Sequence, residues 1–381
     1  MTDNATRSVQ TVEPAWKRQY VVIIACALLI IALLGALGLY SYAVSQGPVH
    51  GSSELRVYIP PGSSVREIRN ILSESGVIGD DIRFVILTRV LGDAKKLQAG
   101  EYLFPPGRTP LQIIKDLAAG KTVLRSITVA EGLTVRQMAD IFAEQGWSEK
   151  EPFLALAQSK NFIRSLGVKA DNLEGYLFPD TYFFPKGENI REIVGAMVRK
   201  GRQVMREECR NGVGGFFFAC SGDDLSTKAD KAIAEQKGIA RTLSTHQIWT
   251  LASIIEKETA LENERPMVAR VFLNRLAANM KLQADPTLIY GLQKHGESLT
   301  KDDLGTPGLY NTYRNKGLPP GPICSPGRSS LRAVFNPSED LNYYFVSRND
   351  GSHSFSKSLK EHNKAVKRYR ELVRQKESSK L

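Results

Sequence analysis

Between Tyr20 and Val44 no residue is charged, and the run VVIIACALLIIALLGALGLY is apolar without a break. A stretch of that length predicts one helix able to cross a hydrocarbon core about 30 Å thick. Arg7, Lys17 and Arg18 precede it and the first charge after it is Glu54, so the positive-inside bias puts the N-terminus in the cytoplasm and everything after Gln46 outside. A cleaved signal peptide is the competing reading, with Ser41, Tyr42 and Ala43 as a small-residue site. A signal's apolar region is, however, usually only ~7–15 residues long. The expected order is therefore a cytoplasmic tail at 1–19, a membrane helix at 20–44 and a linker at 45–54.

Beyond the linker, one pattern occurs twice. LRVYIPPGSSVREIRNILSESGV (55–77) and RSITVAEGLTVRQMADIFAEQGW (125–147) align with Gly62 on Gly132, Val65 on Val135, Arg66 on Arg136, Ile68 on Met138, Ile71 on Ile141 and Gly76 on Gly146. Each copy alternates and then shifts to helical spacing, which predicts a short strand, a Gly turn and an amphipathic helix stopped by Gly. YLFP follows in both, at 102–105 and 176–179, and reads as a core strand ending in a turn. Further helical runs close the copies at 111–118 and 190–198. Strand, helix, helix, strand is the build of a small carbohydrate-binding fold, and the first copy (55–122) resembles a LysM-like domain. In the second copy Glu174 precedes YLFP, while Asp180, Thr181 and Tyr182 follow it. Rings stack on pyranose faces and carboxylates accept hydroxyl hydrogen bonds, which makes Glu174 a candidate substrate-binding residue. The segment from Arg199 to Arg241 reads as a charged surface insertion.

The next helical run, from Thr245, places Ile248, Leu251, Ala252, Ile255 and Thr259 on one face, and Pro266 opens a second helix with Val268, Val271, Phe272 and Leu276 inward. In that projection Glu258 lies about 60° from the centre of the apolar face and Glu256 about 100° to its other side. A half-buried carboxyl has a raised pKa and can serve as a general acid near neutrality; helical spacing leaves both residues open, as it does a merely solvated Glu-Lys-Glu helix end. KLQADPTLIYG (281–291), LYNTY (309–313) and GLPPGPICSPG (317–327) follow as Pro/Gly-rich stretches that read as loops walling a cleft. LNYYFVS (341–347) reads as a strand, GSHSF (351–355) as a turn and 357–375 as a basic helix.

Composition narrows the class. The chain has 381 residues, 42% hydrophobic and 24% charged, which fits two or three ordinary domains and argues against wholesale disorder or a many-pass membrane protein. A net charge of +11 invites a nucleic-acid reading. Residues 356–381, however, hold nine Lys or Arg against three acidic residues, so more than half of the excess sits in a basic tail and no nucleic-acid partner is expected. Cys209 and Cys220 could pair outside the cytoplasm or remain free thiols, and the scattered histidines give no metal site.

ASIIEKET, VFLNRL, KLQADPTLIYG, YNTY, GLPPGPI, YYFVS, GSHSF and HNKAV, in that order and behind a single N-terminal anchor, resemble the MltG/YceG-type endolytic murein transglycosylases from Tyr20 to Ala365. The resemblance implies an α+β protein with a LysM-like small domain, a larger catalytic domain at 123–372 and a basic tail at 373–381. It implies Glu256 as the catalytic acid, no cofactor or metal, and cleavage of the MurNAc–GlcNAc bond within nascent strands to leave 1,6-anhydro ends. Asn274, Gln283, Asp285, Tyr310, Asn311 and Tyr313 join Glu174 as candidates for holding the sugar. The implied setting is the inner membrane, with a periplasmic catalytic domain working on glycan strands beside peptidoglycan synthases such as penicillin-binding proteins. Cys324 and Ser325 depart from the family pattern and read as peripheral. A muramidase-type hydrolase using Glu256 with Asp285 and a non-enzymatic wall-binding scaffold are the rival expectations.

Overall fold

Capping residues set where the helices begin. A computed structural model describes residues 15–48, 53–211, 243–294 and 296–378, and in it both copies of the repeat start their helix the same way. Ser64 and Thr134 each accept a hydrogen bond from the backbone three residues on, where Glu67 and Gln137 reach back to the cap's own N–H; this reciprocal box satisfies two otherwise orphaned donors. The preceding Gly62 and Gly132 have φ of 83° and 76°, which a side chain would make costly.

The chain divides into two compact units, residues 1–125 with 185–187, and residues 126–184 with 188–381. In the first, α1 (Ala15–Val44) is the apolar helix, and its 22–44 stretch is long and apolar enough to cross a membrane. Its last turn is different: Tyr42 and Ala43 are buried in the core of this unit, with Leu39 packed beside them. β1 (Leu55–Ile59) pairs antiparallel with β2 (Gly100–Phe104), Leu55 opposite Phe104 and Ile59 opposite Gly100. Between them lie α2 (Val65–Glu74) and α3 (Arg83–Val90), and α4 (Pro110–Ala118) follows. Val57, Ile59, Leu72, Phe84, Tyr102, Phe104 and Ile113 close the core.

The second unit carries the larger core. β3 (Leu124–Thr128) pairs with β4 (Thr181–Pro185), and α5 (Val135–Glu144), α6 (Lys150–Gln158) and α7 (Lys160–Ser165) lie between them in sequence. α8 (Ile190–Asn211) runs well past the expected 190–198, and Val204 and Glu208 in the extension are buried. The rest of the 199–241 insertion lies outside the described residues, as does Cys220. Cys209 is disulfide-bonded.

α9 (Thr245–Glu258) is the centre of this unit. Every residue from Ile248 to Ile255 is buried, so the helix is covered on all sides and not on one stripe. α8, α10 (Arg265–Ala277), α11 (Asp285–Leu292), the short α12 (Lys301–Gly305) and α13 (Arg328–Phe335) follow the chain around it, and α9 packs directly on α10, α11 and α13. Buried Glu208 binds Arg328 at 2.7 Å and Arg332 at 3.0 Å, which fastens α8 to α13. β5 (Tyr344–Ser347) and β6 (His353–Ser356) form an antiparallel hairpin, followed by α14 (Leu359–Ser378).

Three expectations are corrected. The second YLFP is not a strand: Leu173 to Pro179 are all buried in irregular backbone, and the strand falls at Thr181–Pro185. The Tyr176 hydroxyl bonds His246 Nδ1 at 2.6 Å, and a Cβ on Gly175 would lie 2.3 Å from Pro322, so this segment is held against the Pro/Gly stretch and not against a strand partner. KLQADPTLIYG is helical from Asp285, because Pro286 sits in the first turn, where its missing N–H costs nothing. GSHSF supplies a strand and not only a turn, since Glu264 accepts from both His353 N (2.8 Å) and its ring (2.6 Å).

Trp249 is 1% exposed and its ring lies 5.8 Å from that of Tyr176. Trp249→Ala should destabilise this unit by about 3–5 kcal/mol, read as a lower denaturant midpoint.

Candidate active site

The two glutamates at the end of α9 point in directions about 200° apart around the helix, and their surroundings differ accordingly. Glu256 Oε1 accepts from Arg265 Nη2 at 3.1 Å, while Oε2 accepts from Gly327 N at 2.9 Å and Ser330 Oγ at 2.8 Å. Gly327 caps the N-terminus of α13, where unpaired backbone N–H groups and the helix dipole favour a carboxylate. Glu131 accepts the next one, from Arg328 N, and its pKa is raised by burial and then by the charge of Glu256. A Cβ on Gly327 would come within 1.9 Å of the Glu131 carboxyl, so any larger residue there would displace that carboxyl. Arg265 completes the cluster by donating to Ser329 Oγ, with the Arg265 and Glu256 side chains 8% and 7% exposed. Three of the about four acceptor positions of the Glu256 carboxylate are thus occupied.

Glu258, the last residue of α9, meets other groups. It is half-buried, and its pKa is pushed up to about 8, first by burial and then by the negative charge of Asp285, against the opposing charge of Arg275. No hydrogen bond contributes, so among the described residues nothing ties up its carboxyl. Asp285 opens α11 and accepts from the Tyr313 hydroxyl; burial, followed by Asp285, raises the Tyr313 pKa. Arg275 is held in place by Tyr343 O and Leu282 O, both at 2.6 Å. An acid that is protonated at neutrality, unbonded and backed by a fixed cation can give up a proton and then be stabilised as the anion.

The other candidates separate into three pairs and a single residue. Asp285 and Tyr313 gather at Glu258. Glu174 and Tyr310 line a separate cavity of about 850 Å³ together with Tyr290. Asn274 and Asn311 serve the scaffold: the Asn274 amide donates to Asn342 O at 2.9 Å and Asp340 O at 3.3 Å, and Asn311, 1% exposed, donates to Leu304 O and Thr306 O. Gln283 is exposed, with a φ of 50°, and its N–H donates to Thr312 O at 3.2 Å. Cys324 and Ser325 are not peripheral. Both are fully buried, and Ser325 is hydrogen-bonded through its N–H and C=O to the Gly132–Leu133 turn. His246 fixes the same stretch from the other end, its Nε2 donating to Pro320 O at 2.6 Å. Arg265, Arg275, Gly327 and Ser330 went unnoticed in the sequence, since nothing in their spacing marks them as partners of a glutamate on another helix.

With that geometry in place, comparison with known proteins identifies the class. The YceG-like family model matches residues 57–368, and the chain belongs to that family. It is 32% identical over 355 residues to a Bacillus subtilis protein named endolytic murein transglycosylase, covering 88% of this chain and 91% of that one. A protein of the same name from Streptococcus pneumoniae strain D39 is 28% identical over 378 residues, covering 89% of this chain but 63% of the relative. The crystal structure of a YceG-like protein from Listeria monocytogenes superposes with a TM-score of 0.51 at 34% identity, spanning 83% of this chain and all of that one.

Removing one partner of a buried ion pair strands the other charge, whereas removing both does not. Arg265→Leu should therefore cost about 3–5 kcal/mol, and Glu256→Leu added to it should recover only part of that loss in denaturant unfolding, because the Gly327 N–H and Ser330 hydroxyl lose their acceptor.

Proposed function

We propose that this protein is a membrane-anchored endolytic lytic transglycosylase of peptidoglycan, with Glu258 as its proton-transfer group. The observation that carries the reading is the contrast between two carboxyls two residues apart on one helix. Glu256, to which the sequence resemblance assigned the acid, spends both oxygens on Arg265 and the α13 N-terminus, while Glu258 makes no hydrogen bond among the described residues and has its pKa pushed up to about 8. Names of relatives, both endolytic murein transglycosylase, support the substrate and the reaction class.

In this mechanism protonated Glu258 donates to the oxygen between N-acetylmuramic acid and N-acetylglucosamine as positive charge develops at the muramic C1. The resulting carboxylate, eased by Arg275, accepts the proton of the sugar's own C6 hydroxyl while that oxygen closes on C1. A 1,6-anhydro end forms and no water is consumed. The nucleophile is already part of the substrate, so proximity does the work of a second carboxylate. Asp285 and Tyr313 would orient the ring, and Glu256 acts as a positioning residue that fixes the end of α9.

The apolar α1, its last turn packed into the first unit, supports retention as an anchor. The β1-α2-α3-β2 order with its antiparallel pair supports a LysM-like glycan-holding role for that unit. An enzyme so anchored would cut new strands near the membrane, in reach of peptidoglycan synthases. The nearness of Asp285 to Glu258 also suits a hydrolase in which Asp285 serves as base.

Product mass decides between them: anhydro ends, one water lighter than reducing ends, are expected from purified peptidoglycan, whereas reducing ends would establish the hydrolase and intact glycan a scaffold. Glu258→Gln should lower the rate by ~10²–10⁴; wild-type rates in that variant would refute the assignment. Because the acid must start protonated, kcat/KM should fall as pH rises through about 8. Stability carries the same sign. Between the ordinary carboxyl pKa and about 8 the unfolded chain is ionised while the folded one holds its proton, so unfolding free energy falls as pH rises. Glu258→Gln should therefore melt higher than wild type at pH 7.5.

A further inference from the structure

Glu174 sits at the floor of the cavity of about 850 Å³, with Tyr290, Tyr310, Asn172, Gln158 and Arg136 around it. That volume falls within the range of small-ligand sites. Glu174 is 8% exposed. Its Oε1 accepts from Val135 N at 3.0 Å and its Oε2 from the Tyr290 hydroxyl at 3.3 Å, and the Gly175 N–H also bonds it. An ionised carboxylate has about four acceptor positions, so about one is left for a ligand.

All three donors favour the charged form, yet burial outweighs them and carries the pKa up to about 7, and no cation enters the balance. Glu131 and Glu256 have Arg265, and Glu208 has two arginines; Glu174 is the buried acid without a counter-charge among these. A buried carboxylate is costly until a positive charge reaches it. Tyr290 and Tyr310 stand at the same place with ring centroids 4.9 Å apart, and aromatic faces attract cations. Arg136 and Asp171 on the rim are both exposed and opposite in sign, so neither sets the charge of the floor.

We infer that this cavity seats a primary ammonium group, borne by an amino-acid side chain of the substrate's peptide stem, against Glu174 and the two tyrosine rings. The inference rests on the peptidoglycan reading above. A neutral sugar would bring no positive charge to the acid, and a carboxylate would add a second negative charge beside it. Tyr290 shares α11 with Asp285, and Tyr310 lies three residues before Tyr313, so a stem held here would be tied through two elements to the groups around Glu258.

Calorimetric titration of the full chain in detergent tests this without turnover, so it stands apart from the test of the lyase. Three probes are needed: a soluble disaccharide-peptide with a free side-chain amine, the same compound acetylated at that amine, and the peptide-free disaccharide. The free amine is expected to bind at least about tenfold tighter than its acetylated form, which corresponds to ~1.4 kcal/mol. Glu174→Gln should abolish that preference, and Tyr310→Leu should reduce it. Equal binding of the free and acetylated compounds by wild type would overturn the proposal, with no variant required. So would a peptide-free disaccharide that binds as tightly as the amine compound, or a Glu174→Gln protein that keeps the preference.

Discussion

The attachment of Glu256 to the N-terminus of α13 and to Arg265 is the constraint around which the second unit is organised. One carboxylate joins the end of α9 both to the start of α10, nine residues on, and to the turn that launches α13, 71 residues on at Gly327. Bonds to a helix N-terminus are directional, and in a site this dry they are strong. Glu131 occupies the neighbouring donor, which brings the Gly turn of the second repeat to the same point. From the far side Glu208 grips two arginines of α13. The helix is thus fixed at its tip and along its flank, and α9 has little freedom to rotate.

That rigidity is what gives Glu258 its character. A carboxyl two residues beyond a clamped one on a buried helix has its direction chosen for it, and here it is turned toward Asp285, Arg275 and Tyr313. Burial and a like charge hold the proton on, while the arginine waits for the anion. The two glutamates are one residue type, in one helical turn, given opposite tasks by what stands opposite them. In the proposed mechanism Glu258 is the reactive group and Glu256 the residue that positions it.

The helical projection failed to choose between these residues for a definite reason. It assumed a helix with one buried stripe, and α9 is buried on every side from Ile248 to Ile255, so an angle from the centre of an apolar face carried no information. Other misreadings share this source. The second YLFP looked like the first because four letters matched, but Tyr176 answers to His246, and Gly175 to Pro322, residues far down the chain. Asn274 and Asn311 looked like sugar ligands because amides often are, yet both amides are consumed by backbone carbonyls that a linear reading cannot bring near.

Local pattern was enough for the apolar helix, the duplicated strand-turn-helix with its capping boxes, the starts of α9 and α10, and membership of the YceG-like family, because each depends on neighbours within a few residues or on an ordered set of words. Asp285 and Tyr313 stood out in the sequence as residues too polar and aromatic for simple linkers, but nothing there placed them beside Glu258. Tertiary structure alone decided which glutamate is bound, which makes no hydrogen bond among the described residues, and which stands in a cavity where no described cation pairs with it. Protonation, lone-pair occupancy and burial are set by groups from other elements, and their distances in space bear no relation to their distances along the chain.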